Sequence, residues 1–266
     1  MPNYQFPLLD SHIHLWPPEA ADSRSHEWMV PGGPLTKEYS ISHYVEASAP
    51  YFSTASEHYT PSSPSQSSAT TERRSHASSS EDSFKGTFEQ SQHPAHGFIY
   101  IETDRTRPDF TSIASDYIHA LSELEFLRRI VEGRPSEEDT FLPHHRKLLK
   151  GIVAFAPMIE WKRLDAYLKK AEEVAGAETW ALVRGFRFLL QEMNSDHEMI
   201  RSALRDAFWG SLQLLGKKGY SFDVGVDAKR AGVWQVEFAV EMVEKTWQGV
   251  PRRERTAFIF GKSRCA

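Results

Sequence analysis

The chain has 266 residues, 40% of them hydrophobic and 25% charged, which is enough apolar material for one large α/β core. Its formal net charge of -5 argues against a nucleic-acid-binding surface. No apolar run is long enough to cross a membrane, and no basic-then-apolar signal pattern opens the chain. A single cysteine, Cys265, leaves no disulfide framework within the chain, so a reducing, cytoplasmic setting is expected.

The first predicted strand covers residues 8–14 and ends in Asp10-Ser11-His12-Ile13-His14. Side chains alternate along a strand with period two, so His12 and His14 point to the same side. Two imidazoles on one face make half of a zinc-like site. From residue 53 to 93 the composition shifts to Ser, Thr, Pro and charge, with little to bury. Such a stretch cannot offset its ordering entropy and reads as a disordered insertion within one domain spanning 1–266. Thr60-Pro61 and Ser63-Pro64 leave a phosphorylated regulatory loop as the alternative.

Further apolar runs at 97–102, 151–158, 183–190, 220–226 and 256–260 read as short buried strands. Helical stripes lie between them. Leu164, Tyr167, Leu168, Ala171, Val174 and Ala175 form one, and Ile200, Ala203, Leu204, Ala207 and Leu214 a second, with Asp196 as N-cap and Gly216 as stop. Val233, Val236, Val240, Val243 and Trp247 form a third, closed by Gly249 and Pro251. Strand–helix alternation with near-continuous apolar strands predicts a parallel sheet covered by helices.

The opening LLDSHIHLWP resembles the first strand of the amidohydrolase superfamily, in its amidohydrolase-related, lactonase-like branch. GFIYIETD, KGIVAFAPM, VRGFRFLLQ and YSFDVGV are similar to the strands that follow there. The resemblance implies a TIM-type (β/α) barrel with its site at the C-terminal strand ends. About six of the eight strands are present, so the expected fold is an incomplete barrel. The family's sixth strand continues into Asp-His and is followed by two more strands and a late Asp. Here Phe260 leads instead into Gly261-Lys262-Ser263-Arg264-Cys265-Ala266. The expectation is therefore a truncated or misspliced gene product rather than a deliberately shortened barrel. Gly261-Lys262-Ser263 is not the end of a phosphate-binding loop, because that pattern needs Gly where Thr256 stands.

By the same resemblance His12, His14 and Glu102 are the candidate metal ligands, for a zinc-like divalent cation that some members of the branch need and others do not. Arg187 is the candidate for the substrate carboxylate. A guanidinium inside an apolar strand also needs a partner on physical grounds, so a structural ion pair is its other reading. Arg184, three residues earlier, should face outward. His93, His96, His144 and His145 precede strands and so belong to the opposite end. The implied activity is hydrolysis of a small-molecule substrate, a sugar-acid or dicarboxylate lactone. An inactive truncated product and a metal-dependent decarboxylase of the same superfamily are the alternatives. Oligomeric state is left open.

Overall fold

The six apolar runs become the strands β1 (Leu8–Ile13), β2 (Ala95–Ile101), β3 (Leu149–Phe155), β4 (Val183–Arg187), β5 (Ser221–Val224) and β6 (Ala257–Phe260). They are seen in a computed structural model that describes residues 8–53, 95–106, 117–158, 161–191 and 198–261. Each strand pairs in parallel with the next, in the order β1-β2-β3-β4-β5-β6. A parallel pair cannot be joined by a tight hairpin, so each return crosses a face of the sheet. The crossings carry α1 (Ile41–Ser53), α2 (Ile118–Glu132), α3 (Trp161–Trp180), α4 (Glu198–Lys217), and α5 (Ala228–Ala231) with α6 (Trp234–Trp247). The result is a curled half-barrel with surrounding helices, the expected incomplete TIM-type barrel.

Phe98, Ile152, Phe186 and Phe222, on four successive strands, are fully buried, as are Leu127, Tyr167, Phe208 and Leu212 on the helices. Because all strands run the same way, their C-terminal ends share one rim. β1 and β6 are the outer strands of the described sheet, and Leu9, Ile259 and Phe260 on them are about half exposed. Among the described residues no helix is long and apolar enough to cross a membrane.

The α3 stripe packs inward as its period predicts. Two other helical readings need correction. α4 does not stop at Gly216. It runs on to Lys217 and closes at Gly219, where the Gly219 and Tyr220 amides donate to the Gly216 and Leu215 carbonyls. Gly216 sits inside the helix because a side chain there would overlap the Glu254 carbonyl and Thr256. The buried face of α4 is Phe208, Ser211, Leu212 and Leu215, with Ala207 and Leu214 at its margin.

The first three residues of the α6 stripe are turned away from the core, while Val243 and Trp247 are half-buried and Trp247 meets Phe258. Val233, Val236 and Val240 are exposed, and Gln235, Phe238, Ala239, Met242 and Thr246 are buried. The anchor is polar: Gln235 donates to the Leu190 carbonyl at 2.9 Å and accepts the Asp227 amide at 2.7 Å. Phe238 then stacks on Trp209 and meets Phe208 edge-on. Helices α1 and α2 were not anticipated from periodicity. The predicted insertion beyond Ser53, Asp196, His93 and Cys265 lie outside the described residues.

Candidate functional site

Four strand ends deliver polar side chains to one rim, around a pocket of about 510 Å³. His12 and His14 arrive from β1, Glu102 follows β2, Arg187 ends β4, and Asp223 comes from β5. All five line the pocket. His144 and His145 lie in the short 3-10 turn Pro143–Leu148 that leads into β3, at the other end of the sheet. Arg184 is exposed and donates to the Ala181 carbonyl, as its place on the strand predicts.

The two imidazoles face each other with Nε2 atoms 3.1 Å apart. His14 Nδ1 lies 3.0 Å from the Ile101 carbonyl oxygen, which can only accept, so Nδ1 carries the proton. In a neutral His14 the Nε2 lone pair therefore points at His12. This is the arrangement by which a backbone carbonyl orients an imidazole as a base or a ligand.

The separation suits two ligands of one cation, since nitrogens about 2.0–2.1 Å from zinc at a tetrahedral angle lie roughly 3.3 Å apart. A catalytic centre calls for about three protein ligands. Among the described residues no group of three or more His, Cys, Asp or Glu could hold a metal ion, so they do not fit a complete centre. Glu102, the third candidate, is engaged elsewhere. Its Oε2 accepts the Asp104 amide at 2.7 Å, and its Oε1 faces Arg187 Nε at 3.8 Å. Zinc is thus expected to give only a small rise in melting temperature, abolished by His12→Ala with His14→Ala. A stabilisation of ~2.7 kcal/mol would need metal at about a hundred times its Kd. A large shift that survives the double substitution would place the ligands elsewhere.

Arg187 is held between two buried carboxyls. Besides Glu102 it faces Asp223 Oδ2 at 3.9 Å, its direct partner in the β4–β5 register. Neither contact is short enough to be a hydrogen bond, and Arg187 Nε and Glu102 Oε1 make none to the described residues. Burial pushes the Glu102 carboxyl up to about 8, with the guanidinium pulling only partly back. Burial raises Asp223 as well. At neutral pH Glu102 is then mostly a protonated acid. Asp223 carries no signal of its own in the sequence, because its place beside Arg187 is set by the β4–β5 register.

Behind the pocket lies a second polar network that the sequence does not announce. Glu123 of α2 is buried and its Oε1 accepts from Tyr100 Oη, the Thr103 amide and Thr103 Oγ1 at 2.7, 3.0 and 2.6 Å. Arg105 Nε lies 3.6 Å away, and its guanidinium makes no hydrogen bond to the described residues. Thr103 Oγ1 is also 2.9 Å from His26 Nε2, whose ring is buried and shifted down to about 3, mainly by desolvation. A neutral His26 gives its Nδ1 proton to the Ala20 carbonyl, so His26 and Glu123 compete for the one Thr103 hydroxyl proton.

No protein-family model matches the chain. Over 248 residues, 91% of its length, it is 27% identical to the L-rhamnono-gamma-lactonase of Scheffersomyces stipitis. It covers 57% of that protein. A crystal structure of an amidohydrolase from Burkholderia multivorans with bound HEPES aligns with 90% of this chain and 53% of its own, at a TM-score of 0.46 and 15% identity. The chain thus spans little more than half the length of the relatives it matches.

Proposed function

We propose that this chain, a member of the amidohydrolase-related, lactonase-like family, is a hydrolase that opens a sugar-acid or dicarboxylate lactone, with neutral sugar-acid lactones preferred. The observation that carries this reading is the His12–His14 pair on the pocket lining, with the unprotonated His14 Nε2 held toward His12 by the Ile101 carbonyl. A water that takes the place of His12 at His14 Nε2 gives its proton to that nitrogen as its oxygen bonds to the ring carbonyl carbon. The C=O electrons become an oxyanion beside Arg187. Collapse of that intermediate breaks the ring C–O bond, and the departing oxygen takes a proton from Glu102. General acid–base assistance of this kind is worth about 10²–10⁴-fold in rate.

Charge balance supports the preference for a neutral ring. Arg187 already faces the protonated Glu102 and the Asp223 carboxyl, so a substrate carboxylate would enter beside two acidic groups that share one cation. A pH-stat panel of neutral aldonolactones and dicarboxylate lactones, with and without zinc, tests the proposal. Acid release from the neutral set is expected. Silence across the panel from a folded sample would end the lactonase reading.

Gly225 gives a narrower test. A Cβ there would stand 3.1 Å from Arg187 Nη2 and 3.4 Å from Nε, so the guanidinium would have to give way. Gly225→Ala should cost only about 1 kcal/mol of stability, because a side-chain end can yield. Turnover should fall about tenfold, because misplacing a positioned group by a fraction of an ångström is costly. Unchanged kinetics would remove Arg187 from the reaction.

A further inference from the structure

The polar residues of the pocket come from strand ends, and its apolar wall has a separate origin. Trp16, Trp28, Leu35 and Tyr39 line the pocket, and all belong to the connection between β1 and α1. That connection is tied back on itself. Trp16 and Tyr39 exchange backbone hydrogen bonds at 2.9 and 3.1 Å, and Trp16 Nε1 donates to the Lys37 carbonyl at 2.7 Å.

Trp28 is the exposed aromatic of the wall, with 39% of its surface open. Its indole is nevertheless fixed. Nε1 donates to the Thr103 carbonyl at 3.1 Å, Trp16 meets it edge-on at 5.7 Å, and His26 packs at 5.0 Å. An open aromatic ring held in one plane, in a pocket that polar strand-end groups also line, is suited to a ligand with one C–H face and one hydroxylated face. A saturated, hydroxylated lactone ring has that character.

We infer that Trp28 is the specificity-determining residue of the pocket, stacking on the C–H face of a closed sugar lactone ring while the hydroxyls turn to the strand-end polar groups. This rests on the lactone reading above and assigns the ring-binding wall within it. An anchored indole loses little freedom on binding, so the contact contributes nearly its full value. The opened, acyclic acid presents no flat face and should depend on Trp28 far less.

The test is binding rather than turnover. Calorimetric titration uses two probes: the non-hydrolysable lactam of a sugar acid, in which a ring N–H replaces the ring oxygen, and the acyclic aldonate of the same sugar. Trp28→Leu should weaken lactam binding about tenfold or more while changing aldonate binding less than about threefold. Trp28→Phe, which keeps a flat face but loses the hydrogen bond to Thr103, should stay within about threefold of the parent for both. Melting curves establish that each variant is folded, and the lactam-to-aldonate ratio within one variant is insensitive to a partly folded sample. Equal loss for both probes, no loss for the lactam, or no lactam binding by the parent would each overturn the assignment. Lactam binding that depends on Trp28 in a protein that opens no lactone would instead keep the ring-binding wall and discard the hydrolase reading.

Discussion

Replacing Arg187 by methionine should abolish activity and destabilise the protein by about 3–5 kcal/mol at mildly alkaline pH, the usual cost of removing one member of a buried ionic group. Glu102 and Asp223 would be left buried and facing the gap without their cation. The loss has a characteristic pH dependence. Glu102 is raised to about 8 from an ordinary 4.5, and Asp223 is also raised. A carboxyl raised in the folded state contributes stability that is complete below its unfolded value and is lost as pH rises through its folded value. Arg187 pulls both groups downward, so its removal raises them further. The variant's deficit should therefore be small near pH 4.5 and grow through pH 8, as the parent's carboxylates ionise and the variant's resist. Melting temperatures of the two proteins at several pH values measure this directly. A deficit that is flat, or largest in acid, would show that the three groups do not interact as their placement requires. Arg187→Lys should retain part of the stability and little of the activity, because an ammonium cannot span two carboxyls as a planar fork does.

Glu123→Leu should be comparably damaging for a different reason. One carboxylate oxygen serves the Tyr100 hydroxyl, the Thr103 amide and the Thr103 hydroxyl, and it lies nearest to Arg105. A leucine fills the space but leaves the Thr103 amide and a buried guanidinium without their acceptor, and the Tyr100 and Thr103 hydroxyls fall back on the Leu15 carbonyl and His26 Nε2. A loss of about 3–5 kcal/mol corresponds to a fall of roughly 6–20 °C in Tm for a domain of this size. Glu123→Gln keeps an oxygen acceptor and loses only the charge, so it should fall between. A leucine variant melting within about 2 °C of the parent would mean that the network contributes little net stability, as some buried ion pairs do. Because Thr103 lines the pocket and its carbonyl holds Trp28, the leucine variant should also loosen the pocket wall.

Both predictions turn on residues that sit side by side only in the folded chain. His12 and His14 could be paired from the sequence, because a period of two is a property of any strand and needs no partner. The same holds for the inward placement of Arg187 and the outward placement of Arg184, which follow from an apolar strand carrying a charge on each face. The six strands and their parallel direction were also legible, since short apolar runs separated by helical stretches leave few other ways to bury both faces of a sheet. Their sequential order rested on the family resemblance.

Tertiary structure decided which side chains became neighbours across strands. Arg187 meets Asp223 because β4 and β5 pair in one register, and a shift by one residue would have turned Asp223 to the other face. Glu123 meets Tyr100 and Thr103 because the packing of α2 brings this one carboxylate against the end of β2. The orientation of α6 was likewise undetermined locally. Its sequence offers valines on one side and Phe238, Ala239 and Met242 on another, and two hydrogen bonds from the buried Gln235 side chain select the second. Periodicity reports that a helix has an apolar side, and when it has two, only the partners it packs against choose between them.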